Sequence, residues 1–146
     1  MEKLLISACM LGISCRYDGK SKLAVTDEEL RALNEKYQLV PFCPEIYGGL
    51  PTPRVPSERV GEEVIMKDGT RVTDNFKKGA SEALKLCCDL GIKKALLKAK
   101  SPSCGKGEIY DGSFEGALTV GNGVCAELLI QNDVSVYTEN EIVELI

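Results

Sequence analysis

Three short apolar runs in this chain each lead to a cysteine, and this repeated arrangement constrains the fold more than any other feature. The runs are Lys3–Ala8, Leu39–Cys43 and Ile92–Ala99, and the cysteines at or beyond their ends are Cys9, Cys43 and Cys104. Apolar runs of this length are typical of buried strands. Glycines follow each run, and prolines also follow the second and third, so that regular strand pairing stops. We therefore expect each cysteine to lie where a buried strand ends.

The segments between these strands carry the signatures of helices and turns. Thr26 and Glu29 form a capping box for a helix ending near Tyr37, and Thr73 is the predicted cap of a helix from about Asp74 to Leu90. A hairpin is predicted over Val64–Val72 with its turn at Asp68–Gly69, and a loop or a small hairpin is predicted around Asp111–Gly112. The remaining predicted elements are a helix at Val124–Ile130, a strand at Val134–Tyr137 and a terminal helix after a capping box at Thr138 and Glu141.

Strands that alternate with helices predict an α/β fold, with a mostly parallel, Rossmann-like sheet flanked by helices and a small β-hairpin. We expect a single domain over residues 1–146. In such sheets, ligands bind beyond the carboxyl ends of the strands. The fold thus predicts that Cys9, Cys43 and Cys104 converge at one edge of the sheet, although they lie far apart in the sequence.

The composition excludes several classes of partner. The net charge of the 146 residues is −4, and no basic stretch is present that could follow a nucleic-acid backbone. The longest apolar runs are too short to cross a bilayer, and the amino-terminal residues lack the features of a signal peptide. We expect a cytoplasmic protein, a monomer or a small homo-oligomer. Seven irregularly spaced cysteines also argue against a disulfide scaffold.

The chain contains no histidine, which limits its chemistry sharply. Ser-His-Asp and Cys-His catalysis are excluded within one chain. Any bound metal must be held by thiolate, carboxylate or backbone oxygen, and clustered thiolates favour iron–sulfur, zinc or copper(I). Acid–base work is left to carboxylates, lysine, tyrosine or cysteine, with help from serine or water.

The three strand-end cysteines allow more than one interpretation. They can be small buried residues of the core, because free cysteine is often buried. As thiolates, they can hold three irons of a cubane cluster and leave the fourth open, or hold zinc with a water as fourth ligand. Cys15 is a rival for one ligand position, or a fourth ligand that closes the site. A sulfur-carrier or thiol-redox protein with Cys104 as nucleophile is a further alternative.

Polar residues near these cysteines are candidates for acid–base work. Glu45 follows Cys43 by two residues, where a carboxylate can move a proton or orient water, although most glutamates are simply solvated. Ser101 and Ser103 flank Pro102, where serines commonly form turns, but Ser101 can instead bind substrate. Arg54 could bind an anion, although a surface charge is the preferred interpretation. Cys87, Cys88 and Cys125 are interpreted as packed residues of predicted helices.

The loop motifs together resemble the bacterial thiouracil desulfidase family, long catalogued as a domain of unknown function. The matching segments cover nearly the whole chain in order: Ser7–Gly12, Cys15–Gly19, Cys43–Glu45, Gly48–Arg54, Ser101–Gly105 and Glu108–Gly112. One departure is visible, Met10 where the family is expected to have leucine.

The resemblance implies a non-redox, 4Fe–4S-dependent desulfidase. It implies that Cys9, Cys43 and Cys104 hold the cluster with one open iron, which acts as a Lewis acid on a thiolated pyrimidine. It further implies that 2-thiouracil is converted to uracil and sulfide, and that Glu45 and Ser101 are the catalytic pair.

Overall fold

The computed structural model describes residues 1–13, 15–19 and 24–146. The described strands are β1 (Glu2–Ser7), β2 (Tyr37–Phe42), β3 (Ser57–Val60), β4 (Glu63–Met66), β5 (Lys94–Leu97), β6 (Glu108–Tyr110), β7 (Leu118–Val120) and β8 (Ser135–Thr138). The helices are α1 (Asp27–Lys36), α2 (Pro44–Tyr47), α3 (Thr73–Leu90) and α4 (Val124–Gln131), with 3₁₀ helices at Ala8–Leu11 and Glu139–Glu144.

Four of the strands form the central sheet. Their order is β2-β1-β5-β8, and all three neighbouring pairs are parallel. Parallel neighbours need crossover connections, and here α1 links β1 to β2 while α4 lies between β5 and β8. The predicted α/β fold with a mostly parallel sheet is therefore confirmed. The three predicted cysteine-bearing strands are adjacent, so their carboxyl ends share one edge of the sheet.

Alternating residues of the central strands build a core on each face of the sheet, as the two-residue period of a strand requires. Leu5, Ala95 and Val136 pack on one face with α3 and α4. Leu4, Ile6 and Leu96 pack on the other with Leu33 of α1 and with Ile142 and Leu145 near the carboxyl terminus. Because both faces are covered, the open carboxyl edge is where the sheet can present a ligand site.

Two small antiparallel hairpins accompany this sheet: β3 pairs with β4, and β6 with β7. Of the two alternatives predicted for the segment around Asp111–Gly112, a loop or a small hairpin, the structure shows the hairpin. The predicted hairpin over Val64–Val72 is also present: across the turn at Asp68–Gly69 the Met66 amide donates to the Thr70 carbonyl at 2.8 Å, and the Val72 amide donates to the Val64 carbonyl at 2.9 Å. The return segment is short because α3 begins at Thr73, and β3, which was not predicted from the sequence, pairs with β4 across Gly61 and Glu62.

Some local predictions need correction. The capping boxes at Thr26 and Thr138 are confirmed. Tyr37, predicted near the end of a helix, is the first residue of β2, and its hydroxyl donates to the Leu145 carbonyl at 3.0 Å. Thr73 does not cap α3; its hydroxyl accepts from the Val64 amide at 3.0 Å.

The cysteines of the helices are not all packed in the core. Cys87 and Cys125 are buried as predicted, whereas Cys88 is exposed. Cys88 follows Cys87 on α3, and a helix turns the next residue by about 100° away from the buried face. In the described residues, no helix combines the length and apolarity needed to cross a membrane.

Candidate metal centre

The first site segment follows β1 directly. The chain enters the 3₁₀ helix Ala8–Leu11, which buries Cys9, and Gly12 ends this helix at a φ of 85°, in the left-handed region that favours glycine. Cys15 is also buried. Its backbone carbonyl oxygen faces the rest of the site and lies 3.9 Å from the thiol sulfur of Cys43. One short loop thus presents two thiols at the edge of the sheet.

The second segment is the junction of β2 and α2. Cys43 precedes α2, Pro44 is the first helical residue, and Glu45 follows it. Proline is favoured at this position because its missing amide hydrogen has no partner in a helix. Gly79 of α3 fixes the place of α2: a Cβ there would lie 1.9 Å from the Pro44 carbonyl oxygen. The close approach of the two helices therefore depends on a residue without a side chain.

The third segment is the loop after β5, which carries Ser101, Ser103 and Cys104. Helix α4 holds this loop, because no side chain caps the amino end of α4 and loop carbonyls accept its free amides instead. The Val124 amide donates to the Pro102 carbonyl at 2.8 Å, and the Cys125 amide donates to the Ser103 carbonyl at 2.9 Å. The loop and the helix therefore position each other.

These three segments surround one cavity of about 610 Å³. Its wall contains every site residue predicted from the sequence: Cys9, Cys15, Cys43, Cys104, Glu45 and Ser101. The volume lies in the usual range for small-molecule sites. The structure thus brings together all of the predicted candidates, including the rival thiol of Cys15.

Hydrogen bonds and burial set the protonation of the four thiols. The Cys15 thiol forms hydrogen bonds with two of the other three. Its hydrogen bond lowers the pKa of Cys9, whereas its hydrogen bond with Cys43, together with burial, raises the pKa of Cys43. Burial raises the pKa of Cys104 to about 12, although the Ser103 hydroxyl at 3.4 Å and the Ser7 hydroxyl at 3.7 Å lower it. Cys104 is therefore protonated at neutral pH until a cation replaces the proton.

The donor set fits an iron–sulfur cluster better than a single ion. In residues 1–13, 15–19 and 24–146, no three His, Cys, Asp or Glu side chains form a group that could hold one metal ion. Thiolates that share one zinc lie within about 4 Å of each other, because each Zn–S bond is about 2.3 Å. Ligands of a cubane bind different irons and are more widely spaced. Four thiols in the wall of one cavity, with no such single-ion group among the described residues, thus favour a cluster.

Glu45 is held by two residues, Arg54 and Ser103, for which the sequence indicated only structural roles. Its Oε1 accepts from Nε and Nη2 of Arg54, at 3.2 and 3.1 Å. Its Oε2 accepts from the Ser103 hydroxyl at 3.1 Å, and Ser103 Oγ lies 2.9 Å from Ser101 Oγ.

The surface interpretation of Arg54 is wrong, since its side chain is only 3% exposed. The turn interpretation of Ser103 missed its contact with Glu45. The one signal for both was their place in loops next to the candidate cysteines.

Comparison with known proteins identifies the family of this chain. Residues 4–141 match the family model described as 2-thiouracil desulfurase. The chain belongs to the 2-thiouracil desulfurase family. It is also 35% identical to the uncharacterized protein YbbK of Bacillus subtilis (strain 168), over 98% of this chain and 99% of that protein.

A solved structure gives a close structural match. It is described as the [4Fe-4S]-dependent thiouracil desulfidase TudS, and it is 48% identical to this chain. The TM-score is 0.94, and the match covers 99% of this chain and 95% of that one. The 2-thiouracil desulfurase resemblance in the loop motifs is confirmed.

Proposed function

We propose that this protein is a [4Fe–4S]-dependent desulfidase that converts 2-thiouracil to uracil and sulfide. The observation that carries the proposal is one cavity lined by four thiols together with the Glu45–Ser101 pair, in a chain of the 2-thiouracil desulfurase family. The relative with 48% identity is a [4Fe-4S]-dependent thiouracil desulfidase. The cavity, the donor chemistry and the family thus support the same activity.

Cys9, Cys43 and Cys104 are the ligands that we assign to the cluster. They lie at or beyond the ends of β1, β2 and β5, three adjacent strands of the sheet. When bound to three thiolates, such a cluster supplies one open iron that acts as a Lewis acid toward the sulfur of the substrate. We assign Cys15 a supporting role, since it hydrogen-bonds the thiols of Cys9 and Cys43.

Glu45 and Ser101 act on the substrate and water. The overall change is hydrolytic: 2-thiouracil and one water give uracil and hydrogen sulfide, with no net oxidation or reduction. Oxygen from water forms the new bond to carbon 2, the carbon–sulfur bond breaks, and both protons of the water leave with the sulfide. Glu45 takes a proton from the attacking water. Ser101 lines the same cavity and acts on the water together with Glu45, to which Ser103, 2.9 Å away, connects it.

Two alternatives fit the geometry less well. A zinc site needs three or four ligands around one ion, and the described residues offer no such group. A sulfur carrier needs a reactive thiolate at Cys104, whereas burial raises the pKa of that thiol to about 12.

The proposal also favours a reducing environment. All seven cysteines are free thiols in the structure, and the cytoplasm keeps such thiols reduced. We therefore propose a cytoplasmic enzyme with a small thiolated pyrimidine as its substrate. Its predicted state as a monomer or small homo-oligomer, without nucleic acid, stays a prediction.

Anaerobic reconstitution with iron and sulfide tests the activity. We expect the loaded protein to release uracil and sulfide in equal amounts from 2-thiouracil, measured by chromatography and a colorimetric sulfide assay.

Glu45→Gln keeps the shape of the side chain but removes the proton acceptor. It should lower kcat by about 10²- to 10⁴-fold, the usual contribution of general acid–base catalysis, with unchanged iron content.

Glu58→Gln is the matched control. Glu58 also lines the cavity, but its Oε1 accepts the amides of Gly112 and Phe114, at 2.9 and 3.1 Å, and a glutamine oxygen can do the same. We expect a much smaller loss of kcat for this variant. A loaded wild-type protein that releases neither uracil nor sulfide would contradict the proposed activity, and full turnover by Glu45→Gln would remove the role of Glu45.

A further inference from the structure

Ser103 lies between the two residues that we assign to catalysis. Its Oγ is 2.9 Å from Ser101 Oγ and 3.1 Å from Glu45 Oε2. Among the described residues, no hydrogen bond joins Ser101 to Glu45 directly. The side chain of Ser103 is therefore the link between the loop after β5 and helix α2, and the residue as a whole is 2% exposed.

The hydrogen bonds around Ser101 fix the direction of this link. Ser101 Oγ accepts the backbone amides of Ser103 and Cys104, each at 3.1 Å. A hydroxyl oxygen has two lone pairs, and these two amides occupy both. The hydroxyl of Ser101 is then left as a donor, and Ser103 Oγ at 2.9 Å is its acceptor.

The hydroxyl of Ser103 can in turn donate one hydrogen bond, and two acceptors lie within reach of it. Glu45 Oε2 lies at 3.1 Å and the Cys104 sulfur at 3.4 Å. A carboxylate is the stronger acceptor, since charge-assisted hydrogen bonds are shorter and stronger than bonds to a thiol. The two hydrogen bonds therefore form a series in which Ser101 donates to Ser103 and Ser103 donates to Glu45, so both hydroxyl protons point toward the carboxylate.

Arg54 completes the series at its far end. Its Nε and Nη2 bind Oε1 of Glu45, and it also donates to the carbonyls of Pro51 and Cys15 and to the Thr52 hydroxyl. Each oxygen of the Glu45 carboxylate thus has its own partner, arginine on one side and serine on the other. A carboxylate held from both sides has little freedom to rotate, which favours a single orientation toward the cavity.

We propose that Ser103 is a positioning residue that couples Ser101 and Glu45 into one catalytic unit, with Arg54 as its anchor. The proposal rests on the proposed function and adds to it the residue through which the catalytic pair acts together. Ser103 does not contact the substrate in this account. Its hydroxyl sets the orientation of Ser101 and holds Oε2 of Glu45 in place.

A double-mutant cycle on the cluster-loaded protein tests the coupling. We expect Ser103→Ala to lower kcat for 2-thiouracil by about 10- to 100-fold, since a small misplacement of a reacting group costs up to about 10²-fold. KM should change by less than about twofold, and iron and sulfide content should match the wild type. Ser101→Ala/Ser103→Ala should be no slower than the slower single variant, because either change breaks the same series.

Ser7→Ala provides the matched control for the cycle. Ser7 is buried, and its hydroxyl accepts the Lys98 amide at 3.0 Å and approaches the Cys104 sulfur at 3.7 Å, but among the described residues it makes no hydrogen bond with Glu45 or Ser101. The Ser7→Ala/Ser101→Ala pair should therefore show additive losses. Additive losses for Ser101 and Ser103 as well, or a Ser103→Ala kcat within about twofold of the wild type, would overturn the coupling.

A crystal structure of Ser103→Ala gives a readout that does not depend on turnover. We expect Oε1 of Glu45 to stay on Arg54 while the carboxylate rotates and the Ser101 hydroxyl turns to a new acceptor. Unchanged positions of both side chains would overturn the positioning role. A wild-type protein that loads its cluster but leaves 2-thiouracil intact contradicts the proposed function instead, so the two failures are distinguishable.

Discussion

At the scale of single residues, Arg54 is a buried positive charge in the same cavity wall as four thiols, and its hydrogen-bond partners explain how this charge is accommodated. Its donors reach the Glu45 carboxylate, two backbone carbonyls and one hydroxyl, so the charge is paired and its hydrogen-bonding groups are used. A buried charge without these partners would cost several kcal/mol. The bond to the Cys15 carbonyl also connects the loop that follows β1 to the loop that carries Arg54.

The ligand assignment makes a prediction for two cysteines of the same cavity. Cys104→Ser should lower the iron bound after anaerobic reconstitution to well under half of the wild-type value, because a cluster ligand is lost. Cys15→Ser should retain nearly all of the iron, because Cys15 supports its neighbours only through hydrogen bonds. Iron and acid-labile sulfide per protein provide the measurement.

Circular dichroism of both apo-proteins controls for misfolding in this comparison. If Cys15→Ser lost the cluster and Cys104→Ser kept it, Cys15 would be the ligand and Cys104 the supporting residue, which contradicts the assignment. Loss in both variants would indicate a closed site with four cysteine ligands.

At the scale of elements, the period of the apolar residues was enough to predict the central strands and the long helices. The runs at Lys3–Ala8 and Ile92–Ala99 became β1 and β5, somewhat shortened, because their side chains have a core on both faces of the sheet. Pairing was harder to predict. The predicted turn at Asp68–Gly69 returns the chain beside β4, but β4 also pairs with a strand that precedes it, at Ser57–Val60, and no apolar run predicted that strand.

The contact between α2 and α3 gives a prediction at this scale. Gly79→Ala places a Cβ 1.9 Å from the Pro44 carbonyl oxygen, so α2 must move, and with it Glu45 and Cys43. We expect a loss of about 1–3 kcal/mol in the free energy of unfolding, the usual cost of overpacking. We also expect a fall in kcat of at least about tenfold in the protein that still loads its cluster.

Gly91→Ala controls for stability alone. Gly91 ends α3 at a φ of 69°, with no atom near an added Cβ, and alanine at that φ costs about 1–2 kcal/mol. Thermal unfolding should show comparable losses for the two variants, with turnover reduced only in Gly79→Ala. Equal turnover in both would contradict the view that Gly79 sets the position of α2.

At the scale of the whole molecule, the site exists only because distant segments meet at one edge of the sheet. The α/β alternation predicted that Cys9, Cys43 and Cys104 lie at that edge, their neighbours Glu45 and Ser101 were candidates by position, and the resemblance implied that these two are the catalytic pair. The sequence could not predict the strand order, nor that Arg54 and Ser103 would hold Glu45. Those contacts join residues 9 and 58 positions apart along the chain, and they depend on side-chain packing that no local pattern reveals.

The most direct test of the central claim is Mössbauer spectroscopy of the protein reconstituted with ⁵⁷Fe, before and after addition of 2-thiouracil. Three cysteine ligands leave one iron of the cubane different from the other three. The account predicts a distinct component of about one quarter of the iron, which shifts when the substrate is added. A cluster whose irons are all equivalent and unaffected by 2-thiouracil would contradict it.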